Sequence, residues 1–332
     1  MNRATTFDPI EAASSIHKAY RQYLASNFWL RDSDLRAQIN EALEGRFAIS
    51  KGPILQATPP YRPGKTIRQL VDEGVLHPAF LDANQSVLPS DRPLYLHQEE
   101  AIRKARSGRN LLIATGTGSG KTEAFLLPII DSLLRERDAG TLTQPGVRAL
   151  LLYPMNALAN DQMKRIRDLL EQFPAITFGR MIGETEKDEG DAIAEHRARF
   201  KSDPLSNELV SRSRMREAPP HLLLTNYAML EYLLLRPSDT PFFDGPTSGR
   251  WKFFVLDEIH VYDGAQGAEI AMLLRRLRDR VNHSTRGVLQ CFGTSATLGK
   301  GAEDYPSLAD FGVTIFDAVS YTHLTLPTIL RV

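Results

Sequence analysis

The spacing of apolar residues along the chain changes character near Pro93. Before it, Ile16, Tyr20, Tyr23 and Leu24 fall three to four residues apart, as do Leu35, Ile39 and Leu43, and each set predicts one face of a helix. Residues 51–65 hold Pro53, Pro59, Pro60 and Pro63, too many for either regular structure. From Pro93 onward, short apolar runs at 111–114, 149–153, 176–181, 221–225, 253–256 and 288–292 alternate with longer amphipathic stretches. Two of these stretches are strongly periodic: 158–173, with Met163, Ile166, Leu169 and Leu170, and 265–281, with Ile270, Leu273, Leu274 and Leu277. Continuous apolar strands alternating with helices predict an α/β fold, with a mostly parallel sheet covered on both faces. Residues 184–220 are polar and weakly periodic and read as a surface excursion; 236–250, with three prolines, reads as a second loop.

Composition narrows the class. The 332 residues are 42% hydrophobic and 24% charged, which supports a sizeable core. At ~150 residues per domain the length predicts about two units. Forty Lys+Arg balance forty Asp+Glu, so any nucleic-acid surface must be a local strip rather than a bulk charge. The single cysteine, Cys291, excludes an internal disulfide and a Cys-cluster zinc site, and its strand context makes it a small core residue. No apolar run approaches the ~18 residues of a membrane span. Asp8 and Glu11 stand where a signal peptide keeps an apolar core, so a cytoplasmic protein is expected. Tyr227, Met229, Tyr232 and Leu233 read as core before base-stacking, and the arginines of 275–280 as a solvated helix face.

The run 110–114 leads into Thr115-Gly116-Thr117-Gly118-Ser119-Gly120-Lys121-Thr122 and then an apolar helical stretch. This is the strand–loop–helix context of a phosphate-binding loop. Its three glycines let backbone N–H groups turn toward phosphate oxygens, and the helix N-terminus adds partial positive charge. Lys121 is expected to reach the β- and γ-phosphates of ATP, and Thr122 to hold Mg²⁺ through its hydroxyl. Thr115 replaces the usual first glycine, while the Gly-Lys-Thr end is intact.

The run 253–256 ends in Asp257-Glu258-Ile259-His260. Two adjacent carboxylates at the tip of a buried strand are costly unless a cation sits there. Alone they also suit a solvated helix start; the upstream phosphate loop favours Asp257 as a metal ligand and Glu258 as the group that activates water. His260 by itself reads as a packed or exposed histidine.

Phosphate loop, Asp-Glu-Ile-His and Gly293-Thr-Ser-Ala-Thr297 together resemble the first RecA-like motor domain of superfamily 2 helicases, nearer the DEAH-type members. The resemblance covers roughly 93–317. It implies that Gln98, in Tyr-Leu-His-Gln, reads the adenine edge, that His260 stands with Lys121, Asp257 and Glu258 among the catalytic residues, and that Ser295 and Thr297 link hydrolysis to strand movement. It also implies nucleic-acid backbone contacts at Pro154, Asn156 and Ala157 (in Tyr-Pro-Met-Asn-Ala-Leu), at Gly183 (in Gly-Glu-Thr) and at Thr225 and Asn226. Such contacts position a strand without reading its sequence. Arg180, Arg212, Arg214 and Arg216 read first as solvated surface and second as part of a cationic strip. The Tyr-Pro-Met-Asn-Ala-Leu and Asp-Glu-Ile-His-Val-Tyr-Asp-Gly boxes look most like Lhr- and YprA-type DNA helicases and their phage-defence relatives.

The expected organisation is a helical extension at 1–90, a helicase ATP-binding domain at 91–318, and a tail at 319–332. Residues 319–328 resemble a translated sequencing-library adapter; the residues alone also permit a Thr-rich edge strand ending at Pro327. On the adapter reading the tail lies outside the fold and the chain is the N-terminal part of a longer helicase. Hydrolysis would then need the arginine fingers of a second RecA-like domain. Three functions stay open: an ATP-dependent DNA motor, an RNA motor, and a nucleotide-gated nucleic-acid-binding module without a catalytic cycle.

Overall fold

The computed structural model describes residues 8–27, 29–44, 49, 61–116, 118–154, 156–244, 249–282, 289–295, 305–317 and 321–325. The chain divides into two compact units, Met1–Pro59 and Pro60–Val332. In the first, both predicted helices form: α1 (Pro9–Asn27) and α2 (Ser33–Glu44). Each begins on an aspartate, with Asp8 Oδ1 accepting the N–H of Ile10 at 2.8 Å and Asp32 Oδ1 those of Asp34 and Leu35 at 2.9 Å. These satisfy amides that have no partner within the helix. The apolar stripe of α1, including Ile16, Tyr20 and Tyr23, is exposed.

The second unit opens with β1 (Pro63–Thr66), α3 (Ile67–Asp72), β2 (Pro93–Tyr95) and α4 (Leu96–Arg106). It continues with β3 (Asn110–Ala114), α5 (Lys121–Asp138), β4 (Ala149–Tyr153), α6 (Asn156–Leu170) and β5 (Phe178–Arg180). Next come α7 (Glu189–Phe200), β6 (Glu208–Leu209), α8 (Arg212–Glu217), β7 (Leu222–Asn226) and α9 (Tyr227–Leu235). The last described elements are β8 (Phe253–Leu256), α10 (Gly264–Asn282), β9 (Gln290–Ser295), α11 (Tyr305–Phe316) and β10 (Tyr321–Thr325).

Eight strands form one parallel sheet in the order β10-β3-β9-β8-β4-β7-β5-β6. Alternate residues of each strand serve the two faces. Leu111, Ile113, Leu151, Tyr153 and Val255 pack with α3 to α6, while Leu112, Leu150, Leu152, Phe254 and Leu256 pack with α8 to α11. This double covering explains why the strands read as unbroken apolar runs.

Four features depart from the sequence reading. Ile67, Leu70, Leu76, Phe80 and Leu88 belong to the core of the sheet unit, so the break falls at Pro59/Pro60 and not at residue 90. Within the proline-rich stretch, 51–60 lie outside the described residues, but Pro63–Thr66 pairs antiparallel with Pro93–Tyr95; proline is tolerated at the first residue of an edge strand. The 184–220 excursion contains α7, β6 and α8. Finally, 321–325, expected outside the fold, form the edge strand β10 in register with Asn110–Ala114. Pairing with 321–325 satisfies backbone groups that β3 would otherwise leave as an open edge.

Candidate nucleotide site and nucleic-acid face

Because every strand of the large sheet runs the same way, the residues following β3, β9, β8 and β4 emerge in a row at one edge. Ligands of open α/β sheets bind beyond these carboxyl ends. The phosphate loop follows β3 and is tied to β9 where the Thr115 N–H donates to the Ser295 carbonyl at 3.1 Å. Gly118 and Gly120 have φ of +76° and +69°, where a side chain would be strained. Gly116 packs close to Tyr61, whose hydroxyl a Cβ there would meet at 2.9 Å. Lys121 Nζ donates to the Thr115 carbonyl at 3.2 Å, and the Thr115 and Ser119 hydroxyls lie 2.5 Å apart. Thr117 lies outside the described residues.

Gln98, the expected adenine reader, ties the start of α4 to the loop. Its Oε1 accepts the Tyr95 N–H at the start of α4, and its Nε2 donates to the Gly120 carbonyl, both at 2.9 Å. A Cβ at Gly120 would collide with that amide. These bonds use one N–H and one lone pair of the amide and leave a second of each. His97, which the sequence reading passed over, stands beside it with Nε2 2.9 Å from the Ser119 carbonyl, and burial pushes its imidazole down, toward the neutral form that donates there. Tyr61, Tyr95 and His97 form an aromatic cluster against the loop, with ring centroids 5.1 to 5.8 Å apart.

Asp257 and Glu258 follow β8, two strands from the loop. Asp257 is buried, and desolvation pushes its carboxyl up; the Thr294 hydrogen bond and the Lys121 charge oppose this, and the Glu258 charge adds to it. Glu258 has φ +49° and ψ +49°, a left-handed conformation that costs a non-glycine residue about 1–2 kcal/mol. His260 Nδ1 lies 3.0 Å from Ser295 Oγ and 3.3 Å from Glu258 Oε2, which brings the end of β9 beside the acidic box. Thr297 lies outside the described residues.

The donor set fits Mg²⁺ held largely by phosphate. Thr122 supplies one hydroxyl, presently donating to Gln162 Oε1 at 2.9 Å, and Asp257 one carboxylate whose burial calls for a cation. Among the described residues no cluster of three or more His, Cys, Asp or Glu could cage a metal alone. Mg²⁺ bound to a nucleotide needs only one or two protein carboxylates.

The residues expected along the nucleic-acid backbone divide. Pro154 is half-buried after β4, Asn156 and Ala157 begin α6, and Gly183 is exposed with open space around its Cα. Thr225, by contrast, is wholly buried and its hydroxyl donates to the Met181 carbonyl at 2.6 Å, so it is an internal brace. Asn226 Oδ1 caps α9 through the Met229 N–H at 2.7 Å. Arg212 is a brace as well: its guanidinium donates to the carbonyls of Thr185, Ile182 and Gly183 at 2.6, 3.2 and 2.7 Å. Arg216 pairs with the buried Asp239 at 2.7 Å. On α10, Arg278 is buried against Asp317 and Arg280 grips Asp244, so that helix face is a docking surface for 314–317 and 244 and not merely solvated. Met229 and Leu233 are core as expected, whereas Tyr232 is exposed under Arg236. Cys291 is buried, and burial pushes its thiol up to about 12.

A phosphate loop after one central strand, and an acidic pair after another two places away in a doubly covered parallel sheet, define a RecA-like P-loop nucleotide-binding domain. The chain belongs to the DEAD/DEAH box helicase family, whose model matches residues 95–305. Among curated relatives, the Druantia protein DruE of Escherichia coli (strain UMEA 4076-1) is 30% identical over 87% of this chain and 20% of its own length. The ATP-dependent helicase Lhr-Core of Methanothermobacter thermautotrophicus is 33% identical over 60% of this chain and 21% of its own. The helicase MrfA, solved bound to DNA and AMPPNP, shares the fold with a TM-score of 0.57 and 21% identity, covering 80% of this chain and 30% of that one. The chain thus spans about a fifth of the length of these curated relatives.

Proposed function

We propose that this chain is the ATP-binding motor half of a cytoplasmic ATP-dependent DNA helicase or translocase. The observation that carries this is the convergence of Lys121, Thr122, Asp257 and Glu258 on one sheet edge. Loop amides and Lys121 bind the phosphates. Thr122 and Asp257 hold Mg²⁺, which neutralises charge on the phosphates when bound. Glu258 takes the proton of the attacking water, and His260 with Ser295 carries the state of that carboxylate to β9. The exposed turn at Gly183 and the start of α6 contact phosphodiesters with little sequence preference. DNA is placed ahead of RNA on the resemblance of the Tyr153–Leu158 and Asp257–Gly264 boxes to Lhr- and YprA-type helicases.

Rapid turnover needs a second RecA-like domain to close on the nucleotide and supply arginine fingers, whose loss typically costs ~10³–10⁵ in rate. The test is single-turnover ATP hydrolysis by this chain with and without single-stranded DNA or RNA, with Lys121→Ala and Glu258→Gln as controls. The expected result is slow hydrolysis by the wild type that both variants abolish. Hydrolysis indifferent to both substitutions would remove the site from the reaction. Nucleotide-dependent binding of DNA with no hydrolysis even in a single turnover would favour the nucleotide-gated binding module.

A further inference from the structure

The acidic pair is held by a side chain to which none of the roles above belongs. Thr294, the penultimate residue of β9, is wholly buried. Its hydroxyl donates to Asp257 Oδ1 and accepts the main-chain N–H of Glu258 at 3.3 Å. A single hydroxyl therefore engages two consecutive residues, one through its proton and one through a lone pair, which neither valine nor alanine can reproduce. Sheet register makes this arrangement stiff. Leu256 lies opposite Gly293, which brings Thr294 level with Asp257. At Gly293 a Cβ would come within 2.8 Å of Leu112 Cδ1 on β3 and 3.2 Å of Ile259 Cδ1, just after the pair, so β9 packs closely against both. Glu258 meanwhile sits in the left-handed region, a conformation that persists only where surroundings impose it.

We propose that Thr294 is a positioning residue for the Mg²⁺–water geometry. Its hydroxyl fixes the rotamer of Asp257 that meets the metal and holds the left-handed turn that aims the Glu258 carboxylate. Ser295, one residue on, faces His260 instead, so the two hydroxyls divide the pair between them: Thr294 sets the metal carboxylate and the main chain, and Ser295 sets the histidine. The proposal rests on the nucleotide reading above.

Equilibrium binding of a fluorescent ATP analogue to the full chain, in Mg²⁺ and in EDTA, tests it with no hydrolysis needed. The wild type should bind tighter in Mg²⁺. Thr294→Ser should keep that gain. Thr294→Val should keep the Mg²⁺-free affinity, set by the loop and Lys121, and lose about 10-fold or more of the gain, the usual cost of removing a partner of a metal ligand. Thr294→Ala serves if the valine variant does not fold. Full retention of the gain in Val or Ala overturns the inference. So does its loss in Ser, which would make the methyl group and not the hydroxyl responsible. If Lys121→Ala binds as tightly as the wild type, the nucleotide reading itself has failed, and this inference falls with it.

Discussion

A carboxyl that burial pushes upward binds more protons in the folded chain than in the unfolded one. For Asp257, stability is therefore greatest below the ordinary value of 3.8 and falls as pH rises through the elevated folded one. Asp257→Asn should relieve that desolvation penalty and raise the melting temperature of the nucleotide-free chain at pH 7, while abolishing the Mg²⁺ contribution to nucleotide binding. A lower melting temperature would show that the carboxylate is already compensated by its neighbours. Gln98 offers the opposite case, because its amide bridges the start of α4 and the Gly120 carbonyl. Gln98→Ala should cost about 1 kcal/mol of stability and weaken ATP binding several-fold, with the loop amides no longer held. Unchanged affinity in a titration would mean that the loop is shaped without α4.

At the scale of elements, Arg212 on α8 fastens the 182–185 turn through three carbonyls. Arg212→Gln should weaken single-stranded DNA binding several-fold, by fluorescence anisotropy, and leave nucleotide affinity unchanged; equal DNA binding would separate that turn from the nucleic-acid face. His221 joins β5 to β7, accepting the Thr177 N–H at Nδ1 at 3.0 Å while its own N–H donates to Thr177 Oγ1 at 3.1 Å. Burial, then the charge of Arg148, lowers it to about 4. A histidine held neutral in this way contributes stability that is intact above the ordinary value of 6.5 and lost as pH falls toward 4. The loss is on the order of 3 kcal/mol. His221→Asn, whose oxygen can accept the same N–H, should flatten that decline in chemical denaturation at pH 7 and pH 4.5.

The same elements show what the sequence could disclose. Strands β3, β4, β7 and β8 were legible because burial on both faces leaves runs with no polar interruption. So were the loop and the acidic pair, whose chemistry restricts the residue types. Helices α7 and α8 were not, since their short apolar faces rest on a single residue such as Met215. The pairing of Pro63–Thr66 depends on a partner thirty residues away. The fates of Gln98, Thr225 and Arg212 were hidden for a related reason: a polar side chain bonded to a main-chain carbonyl reads the same, in one dimension, as one offered to a ligand. Thr294 sat inside a quoted motif but beside the letters that define it.

Over the whole molecule, two units stand apart in the contact pattern, a pair of aspartate-capped helices and the sheet domain. Among the described residues no helix is long and apolar enough to cross a membrane. Everything proposed for the motor depends on the sheet edge after β3 and β8 being an Mg-ATP site. The most direct test is isothermal titration of ATP into the wild-type chain and into Lys121→Ala, each in Mg²⁺. The wild type should bind measurably and the variant at least about tenfold more weakly, since a hydrogen bond to a charged group contributes ~1.5–3 kcal/mol. Equal affinities, or no heat from either protein at millimolar ATP, would contradict the Mg-ATP site.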